Sequence, residues 1–424
     1  MVHQIPHLPP TLTLGTLAER VGIEIEEHRV QLPTAHLSQH PHDSALGDRR
    51  TEPNFQTDFS ESQEELVTDP QPTVRKALTQ LTQLQNRLMD HLKADEIIWP
   101  LSMPPYMADS DVDYLATHFE RPWYADYRQI LIERYGYYQH IMTGIHVNFS
   151  LSDTISGPLL ASGAYPDRNA LYFQILKQVS KYRWLITYLF GASPVTENPI
   201  DDRMLARRSD ITQPVRSWRS STAGFANHRT IQLDFTNLDT FLASLDARID
   251  AGDLYDLSEY YGPVRVKATD AYHSQHRHSV EYLEFRIFDL NPFTPSGINQ
   301  NALTVLALLI LDALYFPENI DNEMMQASIE INDAIALQHP DAPLPEAQQV
   351  AFKQLLAHFK LLQAQAEDGA EWQTTLDDLA NNIDQPRNTI SQQLVPHIHN
   401  DSLQAFATAQ GEYWKKLTKI SVSK

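Results

Sequence analysis

The sequence predicts an α+β protein, with strands before about residue 320 and helices dominating after it. Three observations carry that prediction. Short segments alternate apolar and polar residues with a period of two, the spacing that turns successive side chains to opposite faces of a strand. Longer segments repeat apolar residues every three or four positions, as one face of a helix does. Beyond Pro317 the chain is rich in Ala, Gln, Leu and Glu and poor in Gly, a composition that favours helix over strand.

The alternating segments are 23–30, 146–151 and 282–290. In the first, Ile23 and Ile25 share one face while Glu24, Glu26 and His28 share the other. In the second, His146, Asn148 and Ser150 oppose Val147, Phe149 and Leu151. In the third, Glu284 and Arg286 oppose Leu283, Phe285 and Ile287. Each strand is therefore expected to have an apolar side and a side bearing charge. Helical spacing links Val74, Leu78, Leu81, Leu84 and Leu88, and recurs from Tyr172 to Leu189; Trp99 and Tyr188 are expected in the core. Turn chemistry interrupts the chain at 191–194, at Gly262-Pro263 and at 291–297. The stretch from Pro33 to Pro53, with His36, His40 and His42, reads as a long mobile loop able to border a site.

Composition narrows the function classes. The 424 residues are 42% hydrophobic, enough to bury one large core or two ordinary ones, so the chain is globular. Its 54 acidic against 33 basic side chains leave a formal charge of -21 and no basic stripe, which argues against a nucleic-acid partner. With no cysteine, disulfides, thiolate metal sites and thiol nucleophiles are excluded, and a reducing compartment fits. The first fourteen residues lack the basic start and apolar run of a secretory signal, so a cytoplasmic location without export is expected. The longest apolar run, 302–316, is too short to span a bilayer and is broken by Asp312; it reads as a buried helix, with no membrane partner.

One charged strand face is ordinarily just wet. Three such faces, joined by the carboxylates of the segment 57–66, would make an oxygen-rich pocket with a single imidazole, suited to magnesium or manganese if they converge. Arg128, Arg219, Arg265 and Arg286 accompany these carboxylates. Metal-binding carboxylates with guanidinium groups suit phosphoryl transfer, in which charge develops on phosphate oxygens. No glycine-rich loop ending in Gly-Lys-Ser/Thr is present, so any phosphate cradle must be built on the sheet surface. Lys267 reads equally as a phosphate contact or a solvated side chain, and His273, His276 and His278 read as a solvated connection.

Several motifs, taken in order, resemble those of bacterial glutamate-cysteine ligases. They are Gly22-Ile23-Glu24-Ile25-Glu26, Thr57-Asp58-Phe59 with Glu65, residues 99–104, Tyr127-Arg128, Arg134-Tyr135-Gly136, residues 144–150, 188–194, 261–265 and 281–293, and the resemblance covers roughly residues 15–320. It implies a curved, mostly antiparallel sheet backed by helices, similar to the catalytic domain of glutamine synthetase. By the same resemblance, residues 1–320 form an ATP-dependent ligase domain and 321–424 a helical region packed on it. Glu24, Glu26, Asp58, Glu65, His146 and Glu284 would hold Mg2+, with Mn2+ as an alternative. Arg128 and Arg286 would grip the phosphoryl group in flight, and Arg265 and Lys267 would contact ATP. Phe59, Tyr127, Asn148, Arg219, Phe225 and Tyr261 would bind the substrates, glutamate and cysteine. No fused domain that would extend the product is expected. Two departures from the pattern stand out: Phe225 replaces an expected tyrosine on the acceptor side, and His140 replaces an expected glutamine, with Gln139 adjacent. The first keeps open a ligase with a different amine acceptor. A non-catalytic relative would have lost a proposed metal ligand, and a metallohydrolase would not need the arginines.

Overall fold

The computed structural model describes residues 5–9, 11–118, 125–198, 211–268 and 279–422. Among these residues eight strands form one open sheet in which every pairing is antiparallel. They are β1 (Ala18–Gln31), β2 (His36–Leu37), β3 (Phe55–Gln56), β4 (Gln63–Val67), β5 (Glu96–Trp99), β6 (Ile145–Leu151), β7 (Val264–Ala268) and β8 (Val280–Phe288). The main path runs β3-β4-β1-β6-β8-β7, with β2 and β5 also pairing to β1. The three segments that alternate in the sequence are β1, β6 and β8, and they lie side by side.

Strand β1, 14 residues long, is the axis of the sheet. On one edge its first half pairs with β6, from Ala18 opposite Leu151 to Ile25 opposite Ile145, and its last four residues pair with β5. On the other edge Glu24 to His28 pair with β4, and Val30 and Gln31 with β2.

Ile23, Ile25, Val147, Phe149, Leu283 and Phe285 all point to the back of the sheet and are buried in one core. Burying each of these side chains contributes roughly 1.5–3 kcal/mol. Three helices cover them: 74–91, 168–190 and 300–315. Each starts on a side-chain cap, Thr73, Asp167 and Asn299, which accepts a hydrogen bond from a backbone amide of the first turn. Helix 300–315 is buried from Ala302 onward, as a sequence apolar on every side requires. Its one acid, Asp312, accepts from Gln178 Nε2 at 2.6 Å and lies 2.7 Å from His358 Nδ1. Trp99 and Tyr188 are fully buried, as expected. At the turn after β8, Gly297 has φ +66°, and a Cβ there would stand 2.6 Å from Ile25 Cδ1, so only glycine lets the chain cross so close to β1.

Beyond Pro317 the chain is helical, at 322–336, 346–363, 369–384 and 404–422. Met325, Phe359 and Leu376 join the core cluster that contains Ile23. Helix 404–422 closes over β5, where Lys415 Nζ donates to the carbonyls of Lys93, Ala94 and Glu96. No helix among the described residues is long and apolar enough to cross a membrane.

The reading of residues 33–53 as a mobile loop is corrected by the structure. Arg49 is buried, pairs with Glu64 and donates to the Glu61 carbonyl at 3.0 Å. Arg29, on the back face of β1, meets Glu64 at 2.7 Å and Glu96 at 2.8 Å, and donates to the His40 carbonyl at 2.9 Å. His36, His40 and His42 pair with Asp111, Asp95 and Glu64 respectively, and none reaches the candidate site. Polar composition suggested solvent, but the partners come from distant segments and form a buried ionic clasp.

Glu27 lies beside this clasp, buried, with Gln85 Nε2 donating to it at 3.1 Å. Burial pushes its carboxyl up to about 7, against the Gln85 hydrogen bond and with a smaller upward push from Glu64. A carboxyl raised in the folded state stays protonated there while the unfolded chain ionises, so stability present below pH 4.5 is lost as pH rises to about 7. Glu27→Gln is expected to stabilise the protein at pH 8 by about 1–3 kcal/mol and to change little at pH 4.5. Urea unfolding at both pH values checks this, and an equal gain at both would remove Glu27 as the cause.

Candidate active site

The polar face of the sheet opposes the core. Because side chains alternate, antiparallel pairing sets Glu24 opposite His146, Glu26 opposite Glu65, Asn148 opposite Glu284, and Glu284 opposite Arg265. A lattice of charges thus runs across β4, β1, β6, β8 and β7. Above it stand Asp58 and Phe59, from the turn before β4, and Tyr127 and Arg128, on the helix Ala125–Tyr135. Phe225, from a loop, and Tyr261, from the turn before β7, complete the wall. Together they enclose a cavity of about 340 Å3.

Fourteen of the sixteen residues singled out from the sequence line this cavity: Glu24, Glu26, Asp58, Phe59, Glu65, Tyr127, Arg128, His146, Phe225, Tyr261, Arg265, Lys267, Glu284 and Arg286. Asn148 and Arg219 do not. Asn148 sits in the floor, its Nδ2 donating to Glu24 Oε1 at 2.5 Å. Arg219 lies beneath Gly144, so close that a Cβ on Gly144 would stand 1.9 Å from a guanidinium nitrogen. Its NH1 donates to the Phe288 carbonyl at 3.1 Å and lies 3.7 Å from Asp289.

Glu24, His146 and Glu284 present ligand atoms that all lie within 4.8 Å of one another. His146 Nδ1 is 3.3 Å from Glu24 and 3.5 Å from Glu284, and its Nε2 is 3.8 Å from Glu26. Cations hold the far side of the cluster: Arg286 and Lys267 each stand 2.6 Å from Glu284, and Arg265 stands 3.9 Å away. Burial would raise the Glu284 carboxyl, but Arg286, Arg265 and Lys267 together hold it well below the usual carboxylate range. Glu26 goes the other way. Burial raises it, and the attraction of His146 does not offset that rise. The Gly144 amide donates to Glu26 at 3.2 Å.

The remaining cationic and aromatic groups stack. The Arg128 guanidinium lies 4.8 Å from the Phe59 ring centre and donates to the Phe59 carbonyl. Arg286 lies 5.2 Å from the Phe225 ring, which packs against Tyr261 at 4.6 Å. His140, noted for its departure from the expected glutamine, is a buried wall residue stacked on Phe59 at 5.5 Å. The side chain of Gln139, like His273, His276 and His278, lies outside the described residues. Leu131, Asp256 and Ser258 also line the cavity and were not anticipated. Asp256 caps the short helix Leu257–Glu259, a signal readable locally. Ser258 Oγ, however, donates to the Tyr127 hydroxyl at 3.0 Å from 131 positions away, which no local pattern announces.

The sequence matches the family profile described as glutamate-cysteine ligase over residues 13–256 and 249–334. The chain belongs to the glutamate-cysteine ligase family. It is 34% identical over 416 residues to the glutathione biosynthesis bifunctional protein GshAB of Streptococcus agalactiae, covering 95% of this chain and 53% of that protein. Its counterpart from Streptococcus thermophilus is 35% identical over 412 residues, covering 93% and 52%. The chain thus spans about half the length of the curated relatives it matches. Among solved structures, a bifunctional glutathione synthetase from Pasteurella multocida superposes with a TM-score of 0.83 at 27% identity, over 96% of this chain and 53% of that one. A glutamate-cysteine ligase from Francisella tularensis, crystallised with AMP, superposes with a TM-score of 0.79 at 22% identity, over 95% and 89%, and shares the fold.

The cluster fits a hard divalent cation. Its donors are carboxylate oxygens and one imidazole, and His146 Nε2 and Asn148 Oδ1 are buried without a hydrogen-bond partner. Glu24→Gln, isosteric and only partly buried, is expected to weaken Mn2+ binding at least about tenfold, as loss of a ligand charge should. Titration followed by electron paramagnetic resonance checks this, and unchanged affinity would take Glu24 out of the ligand set.

Proposed function

We propose that this chain is an ATP-dependent ligase that joins the side-chain carboxylate of glutamate to the amine of cysteine. The carrying observation is the convergence of Glu24, His146 and Glu284 within 4.8 Å, with Arg286 2.6 Å from Glu284. A pocket of carboxylates edged by guanidinium groups suits transfer of a phosphoryl group between two anions. Family membership supports the reading, as does the naming of the matched relatives for glutathione biosynthesis.

In this proposal a γ-carboxylate oxygen of glutamate attacks the terminal phosphorus of ATP and ADP departs, leaving γ-glutamyl phosphate. The cysteine nitrogen then attacks the acyl carbon, loses a proton, and phosphate departs. Arg286 and Arg128 flank the transferring group and offset its developing charge. Arg265 and Lys267 hold ATP phosphates. Glu24, Glu26, Asp58, Glu65, His146 and Glu284 would hold Mg2+, which when bound would supply Lewis-acid neutralisation of phosphate charge. Phe59, Tyr127, Phe225 and Tyr261 line the acceptor side, while Asn148 and Arg219 position the floor from below. Residues 1–320 carry this machinery and 321–424 brace it. A reaction whose acceptor carries a free thiol belongs in the reducing cytoplasm.

A second reading keeps the chemistry and changes the acceptor. It rests on Phe225, whose ring packs against Tyr261 and offers no hydroxyl to an incoming amino acid. A site built to hydrogen-bond an acceptor discriminates more strongly than an apolar one. ADP release with glutamate, ATP and Mg2+, adding cysteine last, separates the two: cysteine is expected to stimulate turnover above other amino acids and alkylamines. Equal stimulation by another amine would favour the second reading, and no glutamate-dependent ADP release would defeat both. Arg286→Ala is expected to lose on the order of 10² to 10³ in turnover, with a far-UV spectrum like that of the parent. Near-normal turnover would remove Arg286 from the mechanism.

A further inference from the structure

A buried ion pair, Arg219 with Asp289, lies at the edge of the charged sheet face, outside the cavity. Gly144 stands just before β6 on the same face as His146, and its missing side chain leaves a slot that the Arg219 guanidinium fills. That slot adjoins Glu26. The Gly144 amide donates to Glu26 Oε2 at 3.2 Å, and the Glu26 amide donates to the Gly144 carbonyl at 3.1 Å. The guanidinium nevertheless does not join Glu26. Among the described residues its one ion pair is with Asp289, NH1 standing 3.7 Å from Oδ1, and NH1 also donates to the Phe288 carbonyl at 3.1 Å. Burial pushes the Arg219 guanidinium down; Asp289 and, less strongly, Glu26 attract it, and Arg286 repels it. Two carboxylates thus compete for one buried cation.

Asp289 is held firmly in place for that pairing. Its Oδ2 accepts from the Ala192 amide at 2.8 Å and from Oγ of Ser193 and of Ser217 at 2.7 Å each. Those donors fill the capacity of Oδ2 and leave Oδ1 to Arg219 and Ser220. We propose that Asp289 is a positioning residue of the candidate cation site: it keeps Arg219 in the Gly144 slot by ion pairing, so that Glu26 stays free to bind a divalent cation. Its action passes through Arg219. Without the Asp289 charge, Glu26 exerts the next strongest carboxylate attraction on the guanidinium, and in a space shut off from water the two close on each other. Glu26 is then neutralised by a side chain and lost to the metal. The inference rests on reading the sheet face as a cation site and on no later step of the ligation.

Mn2+ titration of the full chain, followed by electron paramagnetic resonance, tests this through a double-mutant cycle. Asp289→Asn keeps the shape of the side chain and should weaken Mn2+ binding about tenfold or more, as loss of a carboxylate ligand does. Arg219→Met removes the competitor and should bind Mn2+ at least as tightly as the parent. In that background Asp289→Asn should cost less than about threefold. A carboxylate needed only to hold the loops together, or one acting on the metal directly through its charge, would weaken binding alike in both backgrounds. Equal losses in the two backgrounds would therefore overturn the proposal, as would undiminished binding by Asp289→Asn. Weaker binding by Arg219→Met alone would overturn it too, and that comparison stands even where Asp289→Asn does not fold. Absence of Mn2+ binding by the parent chain would defeat the cation-site reading and this inference together, whereas binding by the parent with equal losses defeats this inference alone.

Discussion

Charge crowding on one face of a sheet is the constraint around which this molecule is arranged. Glu24, Glu26 and Glu284 surround one imidazole in a space largely shut off from water, where like charges repel far more strongly than at a surface. The arrangement holds because Glu284 is matched by three cations from its own and the neighbouring strand, Arg286, Lys267 and Arg265. Glu26 is ion-paired with no arginine or lysine among the described residues, and burial raises its carboxyl more than His146, Arg286 and Arg219 lower it. A divalent cation among these oxygens would complete the neutralisation. The charge crowding that makes the cluster expensive to assemble is also what suits its donors to a divalent cation.

Placing such a cluster on strands rather than loops has a mechanical consequence. Glu24, Glu26, His146 and Glu284 lie on strands paired on both edges, each beside an apolar neighbour locked into the core behind it. Ile23 and Ile25 fix Glu24; Leu283 and Phe285 fix Glu284. The side chains that stand above the sheet, Tyr127, Arg128, Phe225 and Tyr261, come instead from a helix and connecting segments. The carboxylates and imidazole of the sheet face are therefore held rigidly, and the wall above them is carried on a helix and connecting segments.

Strand β1 serves two charge systems with opposite requirements. Its front carries Glu24 and Glu26, arranged for ligands; its back carries Glu27 and Arg29, arranged for closure. Arg29 and Arg49 share Glu64 and draw residues 38–49 onto the body of the protein. Because Glu65 and Glu64 are adjacent on β4, one faces the cavity and the other the clasp. Neighbouring acids in the sequence thus have unrelated roles, separated by the alternation of the strand.

The sequence by itself determined the faces. Alternation in 23–30, 146–151 and 282–290 was enough to say which side chains share a face, because strand geometry is local; it did not show that Glu27 and Arg29 put charge on the back of β1 or that His28 is buried away from the cavity. The apolar run 302–316 likewise determined a buried helix. Only the tertiary structure decided which faces meet. It set Glu24 beside His146 and Asn148 beside Glu284, placed Arg219 beneath Gly144 rather than in the cavity, and brought Ser258 to Tyr127. It also turned the stretch after Pro33 from an apparent loop into an ionic clasp. The reason is that a side chain's direction follows from its neighbours in the chain, whereas its partner follows from strand register and packing, which are set by contacts between residues far apart in sequence.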